Sequence, residues 1–232
     1  MSCSPTRSSR ADMQARRLDL TLYVITDRRL SGRTHEEVAE AAILGGATAI
    51  QFREKDAPTR EMVEIATRLR TITRRYGVPL IVNDRVDVAL AVDADGVHVG
   101  TDDMPVAVAK RLVGPGRIVG ASASTVEEAL AAVEQGADYL GVGSIFATGT
   151  KVDAGPPVGI ERIAEVKARV PVPVVAIGGI HHRNVAEVIR AGADGVAVIS
   201  AVVAAEDVAD AARRLLEAIR EARASGRSGR GP

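Results

Sequence analysis

The chain has 232 residues, of which 46% are hydrophobic and 26% are charged, a balance typical of a folded globular protein. Its 30 basic and 30 acidic side chains cancel to a formal net charge of zero, and aromatic residues make up only 2%. This composition argues against a basic nucleic-acid-coating surface and against an aromatic platform for stacking bases. Cys3 is the sole cysteine, which excludes an intramolecular disulfide and favours a cytoplasmic protein.

The two ends of the chain differ in composition from its middle. Residues 1–17 are polar and basic and lack the apolar segment of a secretory signal, and residues 224–232 are rich in Gly, Ser and Arg. We expect both ends to be disordered tails, which leaves residues 18–223 as one domain. No apolar run of about 18 residues occurs, so the sequence predicts no contact with a membrane.

Eight short apolar runs alternate with longer amphipathic stretches. In chain order the runs are Leu22–Thr26, Ala49–Arg53, Leu80–Asn83, Gly96–Val99, Ile118–Ser122, Tyr139–Gly143, Val174–Gly178 and Val196–Ser200. Nearly continuous apolar runs of this length are typical of parallel strands buried on both faces. Eight such units predict an α/β fold, a single-domain (β/α)8 TIM barrel. A doubly wound sheet is disfavoured because no G-x-G-x-x-G follows the first run.

A weak internal repeat supports the eight-unit interpretation. Small residues and a turn precede a strand at Gly46-Ala47-Thr48, Ala94-Asp95-Gly96, Gly136-Ala137-Asp138 and Gly192-Ala193-Asp194. Glycine in such a turn supplies the left-handed conformation that ends a helix. Thr125 and Glu128 have the spacing of a capping box at the start of one of the intervening helices.

In a (β/α)8 barrel the chemistry sits at the carboxyl ends of the strands, and polar residues are concentrated there. The second run leads into QFREK, residues 51–55, in which strand alternation places Gln51, Arg53 and Lys55 on one face. Two cations and an amide at the barrel mouth predict an anion site, for which diphosphate is a natural ligand. A solvated, charged strand end is the alternative.

Acidic residues follow the third and fourth runs. Asp84, Asp102 and Asp103 supply hard oxygen ligands of the kind Mg²⁺ prefers, although the same aspartates are also suited to cap the helices that follow. His98, within the fourth run, is expected to be a hydrogen-bonded core histidine. His181 and His182 are expected to be exposed residues at a helix entry, because adjacent histidines lack metal-ligand spacing.

The last four runs end in small and hydroxyl residues. Ser122 faces the same mouth, and Thr148-Gly149-Thr150-Lys151 suits phosphate contact on a closing loop, although a polar loop without function has a similar composition. Gly178-Gly179 and Ile199-Ser200 occupy the recurrent phosphate site of the fold. Two anion sites at one mouth suggest that a diphosphate-bearing substrate is joined to a monophosphate-bearing one.

Together these motifs resemble the thiamine phosphate synthase family. The matching segments are QFREK at 51–55, VND at 82–84, ADGVHVG and DD within 94–103, GAS at 120–122, DYLGVGSIFATGTK at 138–151, AIGGI at 176–180 and GADGVAVISA at 192–201. The resemblance implies a transferase of thiamine biosynthesis that joins hydroxymethylpyrimidine diphosphate to thiazole phosphate. It also implies a dissociative, carbocation-like reaction that yields thiamine phosphate and diphosphate.

The resemblance further implies roles for individual residues. The catalytic residues would be Arg53, Lys55, Ser122 and Lys151. The pyrimidine diphosphate would bind Gln51, Phe52, Arg53, Glu54, Lys55, Asn83, Ser122 and Lys151. The thiazole phosphate would bind Thr148, Gly149, Thr150, Gly179, Ile199 and Ser200. One Mg²⁺ ion per active site would bind Asp84 and Asp103.

Two alternatives remain open at this point. A thiazole tautomerase-like barrel is disfavoured because the charged residues of the diphosphate site are retained, and a non-catalytic sensor of phosphorylated metabolites would differ by lacking turnover. The chain departs from the family pattern at Thr101, Ser124, Ser144 and Ala147. These changes are expected to alter affinity for the pyrimidine or closure of the loop after the sixth run rather than to abolish activity. The expected partners are small phosphorylated molecules rather than nucleic acid, and a homo-oligomer is left open.

Overall fold

The computed structural model describes residues 18–150 and 156–228, which contain a closed barrel of parallel strands. Each strand pairs with the next in the chain, and the first pairs with the last. The strands are β1 (Leu22–Thr26), β2 (Ala49–Phe52), β3 (Leu80–Asn83), β4 (Gly96–Val99), β5 (Ile118–Ala123), β6 (Tyr139–Val142), β7 (Val174–Ile177) and β8 (Gly195–Val198). The predicted (β/α)8 barrel is therefore confirmed.

Helices surround the barrel. They are α1 (Arg28–Ser31), α2 (His35–Leu44), α3 (Thr59–Tyr76), α4 (Val86–Ala91), α5 (Val106–Val113), α6 (Val126–Glu134), α7 (Glu161–Lys167), α8 (Val185–Arg190), α9 (Ser200–Val203) and α10 (Val208–Ser228). The predicted capping box of Thr125 and Glu128 is present at the start of α6. Strand β8 is shorter than predicted, because Ser200 already begins α9.

The predicted boundary of the carboxyl-terminal tail at residue 224 is wrong. Helix α10 continues through Ser228 and packs against α8 and α2. Its buried residues Leu215, Ile219 and Ala222 form an apolar stripe, and the Ser225 hydroxyl donates to the carbonyl of Glu221 one turn earlier. Residues 1–17, the predicted amino-terminal tail, lie outside the described residues.

Side chains alternate between two buried layers. The outer layer packs the strands against the helices, and the inner layer fills the barrel with residues that include Tyr23, Ile81, Tyr139 and Val175. The rings of Tyr23 and Tyr139 meet edge to face at 5.9 Å inside the barrel. The interior is thus a packed core with polar groups in it, and not an open pore.

The internal repeat of the sequence corresponds to one structural device at the amino-terminal face of the barrel. The residue before each even-numbered strand accepts a hydrogen bond from a backbone N–H near the start of the preceding strand, at 2.7–3.0 Å; the acceptors are Thr48, Asp95, Asp138 and Asp194. The three aspartates also pair with a cation on the helix that precedes the odd-numbered strand of each pair. These cations are Arg70, Lys110 and Lys167. These contacts stabilise the barrel at the end opposite to the mouth.

Candidate active site

A cavity of about 150 Å³ opens at the carboxyl ends of the strands. The loop after β6, the Gly178-Gly179 turn after β7 and the start of α9 form most of its wall. Ser122 and Thr101 contribute from the β4 and β5 side. Five of the six residues predicted to hold the thiazole phosphate line this one space, namely Thr148, Thr150, Gly179, Ile199 and Ser200. Gly149, the sixth, is not part of the cavity wall.

The turn after β7 packs tightly against the loop after β6. Gly178 and Gly179 have φ values of +100° and +63°, the left-handed region that favours glycine. A Cβ atom on Gly179 would approach the carbonyl oxygen of Ala147 to 2.7 Å and the Cβ of Phe146 to 2.8 Å. The two glycines thus bring the β7 turn against the β6 loop, so a side chain at Gly179 would displace that loop.

The β6 loop also reaches across the cavity to α9. The hydroxyl of Thr150 donates to the Ser200 hydroxyl at 3.2 Å, and the Thr150 N–H donates to the Thr148 hydroxyl at 3.2 Å. Because Ser200 begins a helix, the first N–H groups there have no partner within the helix and favour an anion. Lys151, the predicted cation of this loop, lies outside the described residues.

A pair of carboxylates lies at the ends of β3 and β4. Burial and the adjacent Asp103 carboxyl raise the pKa of Asp84 above its ordinary value, while Lys55 opposes the shift. Neither aspartate caps a helix: α4 and α5 begin after Arg85 and Pro105 without a side-chain cap, and Asp103 accepts a bond from the Gly100 N–H at 2.9 Å. The capping alternative is therefore wrong for both.

This carboxylate pair fits a divalent cation. Two adjacent carboxylates repel each other, as the raised pKa of Asp84 beside Asp103 indicates, and a shared positive charge relieves that repulsion. Mg²⁺ is commonly held by one or two carboxylates together with substrate phosphates. Within residues 18–150 and 156–228, no group of three or more His, Cys, Asp or Glu side chains gathers as a complete metal cage. The remaining ligands would then come from phosphate and water.

The two cations predicted after β2 each contact a carboxylate. The Arg53 Nη1 donates to Asp27 Oδ2 at 2.7 Å, with the two side chains only 13% and 8% exposed. Lys55 Nζ donates to Asp84 Oδ2 at 2.6 Å and is 39% exposed. Lys55 thus reaches the carboxylate pair directly, whereas Arg53, at the end of the neighbouring strand β2, pairs with Asp27. We call these residues the charged end of the site.

A chain of hydrogen bonds crosses the barrel interior beneath the mouth. Gln51 Nε2 donates to the Tyr23 hydroxyl at 2.8 Å, which lies 2.9 Å from the Tyr139 hydroxyl. His98 joins the Tyr139 hydroxyl through Nδ1 and the Ser122 hydroxyl through Nε2, both at 3.0 Å. Burial raises the pKa of both tyrosines, so their hydroxyls stay protonated. The chain links Gln51 to Ser122, and the core role expected for His98 is confirmed.

Two residues predicted to contact the pyrimidine diphosphate, Phe52 and Glu54, have side chains that face away from the mouth. The Phe52 side chain is fully buried outside the barrel and packs edge-on against His35. The Glu54 carboxylate, 4% exposed, bonds His35 Nε2 at 3.3 Å and Arg28 Nε at 3.0 Å. Because side chains continue to alternate past the end of β2, both face the helical layer and not the mouth.

The sequence analysis also missed residues at the end of β1. Asp27 directly follows β1, so the rule that selected Asp84 after β3 also applies to it. Tyr23 and Tyr139 had no comparable signal, since an isolated tyrosine in an apolar strand resembles any core residue.

The remaining predicted polar residues lie as follows. Asn83 ends β3 in register with His98 of β4. His181 and His182 are exposed, as expected.

Within the part of the chain that the structure describes, no helix has both the length and the apolar character needed to cross a membrane. This is in line with the sequence, which has no long apolar run.

The fold and the site define a (β/α)8 barrel whose mouth combines a glycine-lined cavity after β7 and β8 with a charged end after β2 to β4. Comparison with known proteins narrows this class. The family model described as thiamine monophosphate synthase matches residues 22–202. The chain therefore belongs to the thiamine monophosphate synthase family, as its motifs indicated, and is a transferase.

Individual relatives agree with the family match. The chain is 63% identical over 199 residues to the thiamine-phosphate synthase of Chloroflexus aurantiacus, covering 85% of this chain and 92% of that protein. It is 56% identical over 203 residues to that of Moorella thermoacetica, covering 87% and 97%. The structure of thiamine phosphate pyrophosphorylase from Pyrococcus furiosus superposes with a TM-score of 0.82 at 53% identity, covering 88% of this chain and 98% of that one.

Proposed function

We propose that this protein joins hydroxymethylpyrimidine diphosphate to thiazole phosphate and releases thiamine phosphate and diphosphate. The observation that carries the proposal is the division of one mouth into two parts. On one side Lys55 bonds Asp84 of the Asp84–Asp103 pair, with Arg53 at the end of the neighbouring strand β2. On the other side lies a cavity walled by Gly178, Gly179 and Ser200. One part suits a diphosphate with its cation, and the other suits a phosphate monoester.

The proposed reaction exchanges one bond for another. The bond between the pyrimidine methylene carbon and the diphosphate oxygen breaks, and its electron pair leaves with the diphosphate. The lone pair of the thiazole nitrogen then forms the new carbon–nitrogen bond. No proton is transferred, so a general base is not required, and the aminopyrimidine supports the positive charge that develops. The work left to the protein is charge stabilisation and alignment.

The charged end is proposed to stabilise the departing diphosphate. Arg53 and Lys55 donate charge-assisted hydrogen bonds to oxygens whose negative charge grows as the bond breaks. Lys151 is proposed to add a third cation from the β6 loop. Asp84 and Asp103 would hold one Mg²⁺, which supplies positive charge to the diphosphate when bound. Ser122 is proposed to contact the diphosphate beside Lys151, and Gln51 and Asn83 are proposed to contact the pyrimidine substrate.

The cavity is proposed to hold the thiazole substrate by its phosphate. Its contacts would be the hydroxyls of the β6 loop, the backbone at the β7 turn and the start of α9, through the cavity residues Thr148, Thr150, Gly179, Ile199 and Ser200. Gly149, between the two threonines, is proposed to add a backbone contact. Fixing the phosphate there turns the thiazole nitrogen toward the charged end, which lowers the entropic cost of bringing two reactants together. A cytoplasmic location stays a prediction from the cysteine content.

Kinetics with each substrate varied in turn would test the assignment of the two parts. We expect Lys55→Gln to lower kcat by roughly 10²-fold, because it removes a cation facing the leaving group. We expect Ser200→Ala to raise chiefly the KM for thiazole phosphate. Lys110→Gln, which alters a lysine paired at the opposite end of the barrel, is the matched control and should leave both constants unchanged.

The outcome also separates the alternatives. If Lys55→Gln disturbs only the thiazole substrate and Ser200→Ala only the pyrimidine, the two parts are assigned the wrong way round. Isomerisation of thiazole phosphate that is insensitive to Lys55 would favour a tautomerase. Binding of both phosphorylated compounds without turnover would favour a sensor.

A further inference from the structure

The turn that follows β1 is attached to the end of β2 by three consecutive residues. The Thr26 hydroxyl donates to the carbonyl of Gln51 at 3.2 Å, and Arg28 Nε lies 3.0 Å from Glu54 Oε2. Between them, Asp27 accepts the hydrogen bond from Arg53 at 2.7 Å. The neighbours of Asp27, Thr26 and Arg28, thus bond to residues that flank Arg53 in the sequence. These contacts fix the turn so that Asp27 faces Arg53.

The two carboxylate oxygens of Asp27 have separate tasks. Oδ1 accepts the Arg29 N–H at 3.0 Å and so caps α1, while Oδ2 accepts Arg53 Nη1. Asp27 is 6% exposed as a residue, so neither contact is formed in open solvent. Because the cap already orients the carboxylate, little further side-chain entropy is lost when Asp27 holds the guanidinium.

The geometry of Arg53 leaves donors for a substrate. Within the described residues, the contact to Asp27 uses only Nη1, so Nε and Nη2 remain on the free edge of the planar guanidinium. A planar donor pair with a fixed orientation matches two oxygens of one phosphate group, which a freely rotating arginine matches only at an entropic cost. The carboxylate of Asp27 itself repels a diphosphate, so attraction of substrate is not its task.

We propose that Asp27 is a positioning residue that holds the Arg53 guanidinium in the orientation needed to bind the leaving diphosphate. This inference rests on the proposed function, in which Arg53 faces that diphosphate. It adds a residue from the end of β1, which the sequence motifs did not include, to the machinery of the reaction.

A double-mutant cycle of Asp27→Asn and Arg53→Gln tests the inference. Asparagine keeps an oxygen to cap α1 but removes the charged acceptor for Arg53. We expect Asp27→Asn to lower kcat about tenfold with a smaller change in the KM for thiazole phosphate, because a misplaced catalytic group costs rate more than binding. Arg53→Gln should lower kcat by roughly 10²–10³-fold, and the double variant should match Arg53→Gln alone.

Asp56→Asn is the matched control. Asp56 forms another aspartate–arginine pair at the same junction, with Arg29, but both side chains are more than half exposed and the pair does not include Arg53. We expect wild-type kinetics for this variant. Melting temperatures of all variants, measured in the same buffer, separate positioning from folding. Asp27→Asn should lose stability chiefly through the unpaired Arg53 guanidinium, so the loss should shrink in the Arg53→Gln background.

Each other outcome overturns a defined part of the argument. Wild-type kcat in Asp27→Asn, or an equal loss with and without Arg53, overturns the positioning role. A large drop in melting temperature that persists in the Arg53→Gln background shows a structural role instead. If Arg53→Gln itself leaves diphosphate release unchanged, the proposed function is wrong at this residue and the inference falls with it.

Discussion

Replacing Tyr139 by phenylalanine removes the central link of the hydrogen-bond chain inside the barrel. The lost hydroxyl contacts the Tyr23 hydroxyl at 2.9 Å and His98 Nδ1 at 3.0 Å, and both partners are buried. A buried polar group left without its partner costs about 1–3 kcal/mol. Tyr23 keeps its bond from Gln51, and His98 keeps Ser122, so we expect a total loss of about 2–4 kcal/mol in the free energy of unfolding.

Urea and thermal unfolding would measure this loss. For a domain of this size, about 2–4 kcal/mol lowers the melting temperature by roughly 4–16 °C. Tyr76→Phe is the control, because the Tyr76 hydroxyl bonds Glu40 at the surface and the residue is 38% exposed. That variant should stay within about 0.5 kcal/mol of the wild type. Equal effects of the two substitutions would contradict the account of a buried chain whose members depend on one another.

Two further predictions concern the two ends of the barrel. Burial and Asp103 raise the pKa of Asp84, so the metal-free protein should lose stability as pH rises from the ordinary carboxyl range through that raised pKa. Asp84→Asn should abolish this loss and raise the metal-free melting temperature while lowering Mg²⁺-dependent turnover, and a lower melting temperature would refute the argument. At the opposite end, Asp194→Ala should cost about 1–3 kcal/mol, because the Val174 N–H loses its acceptor and Lys167 its partner, with kcat unchanged. A large fall in kcat for that folded variant would contradict a purely structural role.

The barrel and most of the site could be predicted from the sequence because both follow local rules. Buried parallel strands leave continuous apolar runs, and a residue directly after such a run lies at the mouth whatever its tertiary neighbours. The position of Asp84 and Ser200 at the mouth follows from that rule alone. The repeat before the even-numbered strands was visible too, although its hydrogen bonds to the neighbouring strand were not.

The remainder depends on contacts between distant parts of the chain. Tyr23 and Tyr139 are 116 residues apart, and only the closed barrel brings their hydroxyls together. The pairing of Asp27 with Arg53 likewise needs β1 beside β2 in the observed register. The end of α10 was misplaced because Gly and Ser near the carboxyl terminus resemble a tail, whereas the packed helix before them continues through Ser228.

The central claim is that one barrel mouth joins two phosphorylated substrates. Incubating the protein with hydroxymethylpyrimidine diphosphate, thiazole phosphate and Mg²⁺, and quantifying thiamine phosphate and diphosphate together, tests it most directly. We expect the two products in equal amounts and neither product when either substrate is omitted. Diphosphate released at the same rate without thiazole phosphate, or no product with both substrates present, would contradict the account.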